Sequence, residues 1–164
     1  MGVAGSGKST VARALVRRTG WTMLEGDDLH PPENVEKMAA GTPLTDADRW
    51  PWLDAIGAWV DGRRGENVES VVTCSALRRG YRDRLRQGRP GVVFCFLEVP
   101  SSVLVERLGS RTGHYFPAQL LRSQLATLEP LDSDEPGFVV GGAAEVDVVA
   151  ETVLALLHEQ RVRS

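Results

Sequence analysis

Near the start of the chain, Gly2-Val3-Ala4-Gly5-Ser6-Gly7-Lys8-Ser9 fills every fixed position of the pattern G-x-x-x-x-G-K-[ST]. Glycines at those spacings let the backbone curl so that successive N–H groups point inward, an arrangement that binds phosphate. A helix beginning at the same point adds the positive end of its dipole. Lys8 is then the cation for the β- and γ-phosphates, and the Ser9 hydroxyl is a magnesium ligand. The candidate nucleotide site runs over Gly2, Val3, Ala4, Gly5, Ser6, Gly7, Lys8, Ser9 and Thr10. The same residues also match the myristoylation signal M-G-x-x-x-[ST], but no polybasic segment adjoins them to supply a second anchor.

A second chemical cluster is Glu25-Gly26-Asp27-Asp28-Leu29-His30. It follows a short apolar run, Trp21 to Glu25, which reads as a strand. Carboxylates at the C-terminal end of a parallel strand lie in the crevice where such sheets bind ligands. There they can accept a proton from a hydroxyl or orient magnesium.

Positioning these groups requires alternating strands and helices. Strands are expected at 21–25, 70–74, 92–99 and 138–140. Helices are expected at 8–19, 32–40, roughly 48–63, 79–87, 101–111, 117–128 and 145–159. Apolar β-branched runs separated by segments of helical period are the pattern of a parallel sheet covered on both faces. A phosphate loop of this kind leads from a strand into a helix, yet only Met1 precedes Gly2. The expectation is therefore a sheet short of its first strand, through a start placed too far downstream, a truncation or a real absence. In the last two cases a degenerate, non-catalytic nucleotide-binding protein is the competing reading.

The composition excludes several classes. At 164 residues, 42% hydrophobic and 25% charged, the chain has the composition and length of one globular domain with one core. A net charge of −3 offers no footprint for nucleic acid or an anionic membrane. The strongest apolar run, 92–97, is far too short to span a bilayer. Two cysteines do not make a disulfide framework, so a cytoplasmic location is expected. All the basic residues except Lys8 and Lys37 are Arg.

The remaining segments carry a specific resemblance. Gly26 to Val35, Lys37-Met38, Pro43 to Asp46, Asp48 to Leu53, Cys74 to Arg78, Tyr81-Arg82-Asp83, Gly113 to Phe116, Ser123-Gln124 and Leu128 to Leu131 occur in the order found in bacterial gluconokinases, and the chain resembles that family over most of its length. The resemblance implies a P-loop kinase fold of three layers, with a parallel sheet of order 2-3-1-4-5 and helices on both faces. It also implies transfer of phosphate from magnesium-ATP to the 6-hydroxyl of D-gluconate, and a possible homodimer. The 6-phosphogluconate formed would feed the pentose phosphate or Entner–Doudoroff route. Shikimate kinases, the runner-up, carry a glycine triplet where this chain has Cys74-Ser75-Ala76.

Carried over residue by residue, the resemblance puts Gly5, Gly7, Lys8, Ser9 and Thr10 on ATP, makes Asp27 the partner of the attacking hydroxyl, and allows Glu25 a water-mediated magnesium role. Gluconate itself needs a cation for its carboxylate, and Arg suits that planar group through paired donors. Arg49, Arg78 and Arg82 are the candidates, with His30 for a hydroxyl; Arg82 and Asp83 also read as plain surface residues of a helix. The stretch 107–128 reads as a lid, in which Arg107 and Arg111, four apart, share one helix face, and Thr112-Gly113-His114 forms a hinge. Similar kinases close such arginines over the phosphates, and His114 is a further substrate candidate. The loop 141–144 departs from the Asp-containing turn that the resemblance places near adenine. Trp50, Trp52 and Trp59 are assigned to a core or dimer face.

Overall fold

A computed structural model of the chain describes residues 1–110 and 118–163. Four short strands, β1 (Thr22–Glu25), β2 (Ser70–Thr73), β3 (Phe94–Glu98) and β4 (Gly137–Gly141), alternate with seven helices among the described residues. β1 lies parallel to β2 with Thr22 opposite Ser70, and β3 lies parallel to β4 with Phe94 opposite Gly137. The two pairs are not hydrogen-bonded to each other as strands.

What joins them is the start of the phosphate loop. The Met1 amino group donates to the Cys95 carbonyl, Leu97 N–H donates to the Met1 carbonyl at 3.0 Å, and Gly2 N–H donates to the Ser75 carbonyl at 3.1 Å. Met1 and Gly2 thus occupy the centre of the order 2-3-1-4-5 expected from the sequence. Below them, between the facing edges of β2 and β3, runs a cleft of about 920 Å³ whose lining includes Val71, Val72, Val93 and Cys95.

Helices α1 (Lys8–Thr19) and α7 (Val146–Arg163) cover one face. Val11, Ala14 and Leu15 pack there with Val149, Ala150 and Val153 over Leu97 and Val140. Helices α3 (Asp46–Gly65) and α4 (Arg79–Arg86) cover the other face, where Trp52, Leu53 and Ile56 meet Tyr81, Leu85 and Phe94. A third cluster of Val3, Leu77, Leu104 and Leu121 joins the phosphate loop to α5 (Ser101–Gly109) and α6 (Ala118–Thr127). Three layers result, with the C-terminal strand ends and the loop at one edge.

The start of α3 differs from expectation for a local reason. α3 begins at Asp46 rather than 48, because Thr45 and Asp48 form a reciprocal cap: the Thr45 hydroxyl accepts from Asp48 N–H, and the Asp48 carboxylate accepts from Thr45 N–H at 2.8 Å. Lys37, bonded to the same carboxylate, and then the Thr45 donors hold Asp48 down at a pKa of about 2. α5 starts at Ser101, where expected, with Pro100 in the cap position. The turn after β1 is a single 3-10 turn, Gly26–Leu29, leading into α2 (Pro32–Ala39).

Candidate active site

The phosphate loop takes the shape its glycines permit. Gly2, Gly5 and Gly7 all have positive φ, 138°, 81° and 94°, and Gly7 caps α1 so that the helix N-terminus opens into the loop. Lys8 Nζ donates to the carbonyls of Gly2 and Val3, each at 3.0 Å, folding its charge over the loop. Ala4 N–H donates to Oε1 of Gln124, on α6, at 2.7 Å. Among the described residues the Ser6 hydroxyl is buried without a hydrogen-bond partner.

Beside the loop, the Ser9 hydroxyl donates to Glu25 Oε2 at 2.9 Å, the Thr73 hydroxyl donates to the same oxygen, and Arg13 reaches Oε1 at 3.3 Å. A hydroxyl and a carboxylate are the hard oxygen donors magnesium accepts. That ion commonly takes one or two protein oxygens and completes its shell with water and phosphate. The set fits magnesium, and no cluster of three or more His, Cys, Asp or Glu suggests another metal among the described residues.

Asp27 follows two residues after Glu25. Its side chain is 80% exposed, and its nearest partner is His30 Nε2 at 4.0 Å. Asn34 approaches His30 Nδ1 at 3.4 Å and also donates to the Asp48 carbonyl at 2.8 Å. An amide donating to Nδ1 puts the ring proton on Nε2, toward Asp27. Burial lowers the His30 pKa against an opposing pull from Asp27, and Arg49 lowers it further, so the ring is neutral near pH 7.

Arg49 belongs to a second set of contacts. It donates to the Tyr81 hydroxyl at 3.2 Å, with its guanidinium 5.4 Å from the ring centre. The Tyr81 hydroxyl donates to Asp46, and Arg78 NH1 donates to both Asp46 oxygens at 3.0 and 2.9 Å. Burial, followed by the bond to Asp46, raises the Tyr81 pKa. Arg49, Tyr81, Asp46 and Arg78 thus form one hydrogen-bonded chain, and the Asp27–His30 pair feels its charge through Arg49. Asp46 and Tyr81 were not singled out as site residues from sequence, although both lie in the segments that carry the resemblance; the signal that could have found Asp46 was the Thr45-x-x-Asp48 cap, which turns it into the first helical turn.

Arg82 does not join these contacts. It is fully buried and is neither a surface residue nor open to a small ligand. Its Nε and NH2 pair with the two Glu135 oxygens at 2.6 and 2.7 Å, and its remaining donors take the carbonyls of Ala76, Glu129 and Pro130. A guanidinium whose donors are all engaged inside the protein pins the segment 129–135 to the turn after β2. In that turn Ala76 adopts a φ of 44°, where β-carbon crowding makes a non-glycine residue uncommon.

Arg107 donates to the Gly142 carbonyl at 2.9 Å, and its NH1 would stand 3.8 Å from a β-carbon built on Gly7. It therefore borders both the phosphate loop and the 141–144 turn, which is tied to β3 by Gly142 N–H donating to the Glu98 carbonyl at 2.8 Å. Arg111 and His114 lie outside the described residues. No helix among the described residues is long and apolar enough to cross a membrane.

Comparison with known proteins points the same way. A family model described as an AAA domain matches residues 1–131. The chain is 49% identical over 154 residues to a gluconokinase of Gluconobacter oxydans, covering 94% of this chain and 86% of that protein. It is 42% identical over 155 residues to the thermoresistant gluconokinase of Escherichia coli, covering 94% and 87%. A crystal structure of a gluconokinase from Sinorhizobium meliloti superposes with a TM-score of 0.87 at 48% identity, over 97% of this chain and 89% of that one.

Proposed function

This chain belongs to the gluconokinase family, and from that membership we propose a reaction at the C-terminal sheet edge: the γ-phosphoryl group of magnesium-ATP passes to the 6-hydroxyl of gluconate, giving 6-phosphogluconate and ADP in the cytoplasm. The chain is an ATP-dependent phosphotransferase acting on a small hydroxy acid. The observation that supports the site assignment is the pairing of Asp27 with His30 together with the hydrogen-bonded chain from Arg49 through Tyr81 and Asp46 to Arg78.

The backbone amides of Gly5, Gly7, Lys8, Ser9 and Thr10 hold the phosphates, and Lys8 exchanges its Gly2 and Val3 carbonyls for phosphate oxygens of opposite charge. Ser9 would hold magnesium, with Glu25 acting on it through water, and the ion would neutralise phosphate charge. Asp27 accepts the proton of the attacking hydroxyl as the oxygen–phosphorus bond forms and the bond to ADP breaks. Neutral His30 donates through Nε2 to a substrate hydroxyl. Arg49 and Arg78 face the substrate carboxylate, for which a guanidinium offers a matched pair of donors. Arg107 neutralises charge at the phosphate end. A homodimer is the assembly we propose.

The test is ADP release measured with gluconate, shikimate and nucleoside monophosphates as acceptors. Gluconate should support turnover far above the others; equal or faster turnover on either alternative would remove the assignment.

A further inference from the structure

We propose that Trp52 is a positioning residue for phosphoryl transfer, holding from α3 the peptide that carries Asp27. This rests on the assignment of Asp27 as the partner of the attacking hydroxyl. The indole is 2% exposed, and its Nε1–H donates to the Gly26 carbonyl at 2.6 Å. That carbonyl belongs to the peptide plane joined directly to the Asp27 nitrogen. The next plane is fixed by His30 N–H donating to the Asp27 carbonyl at 3.3 Å, and the preceding one by Gly26 N–H donating to the Thr73 hydroxyl at 3.3 Å.

The backbone through Asp27 is therefore clamped on both sides, whereas its carboxylate is exposed and has no partner nearer than 4.0 Å. Where that carboxylate sits is decided by the backbone rather than by bonds to the side chain itself. Gly26 adds to the constraint: a β-carbon there would stand 2.3 Å from the Thr73 carbonyl, so the turn lies pressed against β2 and cannot shift that way. The same indole stacks on the His30 ring, with centroids 4.1 Å apart and planes 16° from parallel. One side chain thus supports two neighbours of the acceptor hydroxyl. Displacement of a reacting group by about 1 Å is enough to cost on the order of a hundredfold in rate.

Trp52→Phe separates positioning from packing, because phenylalanine keeps an aromatic face under His30 and loses the N–H. In the full-length enzyme kcat should fall about tenfold or more, with KM for ATP within about twofold of the parent and the thermal transition still cooperative. The discriminating measurement repeats the change in an Asp27→Asn background. A residue acting through Asp27 should cost at most about twofold further there, whereas a purely structural role would take the same factor from both backgrounds. Equal factors in both, or a Trp52→Phe enzyme within about twofold of the parent, would overturn the proposal. Full activity of Asp27→Asn alone would instead overturn the assignment of Asp27, and the role of Trp52 would fall with it.

Discussion

The proposed nucleotide end and the proposed acceptor end of this site lie along one sheet edge but are made in different ways. The nucleotide end is nine consecutive residues, 2–10, and its donors are largely backbone N–H groups. The acceptor end is a row of side chains taken from the turn after β1, the first turns of α3, and the start of α4. A site built from backbone depends on local conformation, which a few glycines dictate. A site built from side chains depends on how separate elements pack, and each of its members needs support from somewhere else.

The sharpest break in this contrast is Lys8→Ala. It removes the cation proposed for the β- and γ-phosphates and should lower kcat by about 10³ while leaving the melting temperature nearly unchanged; substantial gluconate phosphorylation by that variant would remove the nucleotide assignment. At the acceptor end, Asp27→Asn should reduce kcat by roughly 10² or more with little change in KM for ATP, measured with both substrates varied.

Arg82→Met tests whether a residue sharing the sequence pattern of the acceptor group belongs to it. Leaving Glu135 buried and unpaired should cost about 3 kcal/mol or more, lowering Tm by roughly 6–12 °C, and calorimetry should register this before any selective change in KM for gluconate. In the parent, the bond from Arg82 holds the Glu135 carboxyl below its ordinary range in spite of burial. Its contribution is therefore full above the ordinary carboxylate pKa and is lost as pH falls through the lower folded value. Arg82→Met should flatten that acid limb of the stability curve.

Arg78→Ala is milder. Removing a charge-assisted donor from a carboxylate should raise KM for gluconate by about 10-fold or more and leave KM for ATP alone; parallel increases in both would place Arg78 outside the acceptor end. Smallest is Thr45→Ala, which should cost about 1 kcal/mol through the lost cap, visible in denaturant unfolding and slightly in KM for gluconate, because Asp46 stands in the turn it starts.

Legibility in the sequence followed the same divide. α1 was expected at 8–19 and occurs at Lys8–Thr19, because glycine on both sides and an apolar stripe at helical spacing leave little freedom. The four strands and the remaining helices were found to within a few residues, with α3 early by a cap of the Thr-x-x-Asp kind. Asp27, His30, Arg49 and Arg78 were readable as candidates, but Asp46 and Tyr81, which join Arg49 to Arg78, were not. Arg82 has the same residue type and the same neighbourhood in sequence as Arg78 and the opposite fate, and only Glu135, 53 residues away, explains it.

By itself the sequence determined the phosphate loop, the alternation that builds a parallel sheet, and the segments that identify the family, since each of these depends on residues close in the chain. The tertiary structure decided which arginines meet solvent, which proton His30 carries, and which carbonyl Trp52 holds. Those outcomes turn on desolvation and on donors and acceptors brought within about 3 Å from distant segments, where electrostatic and hydrogen-bond energies change steeply with distance.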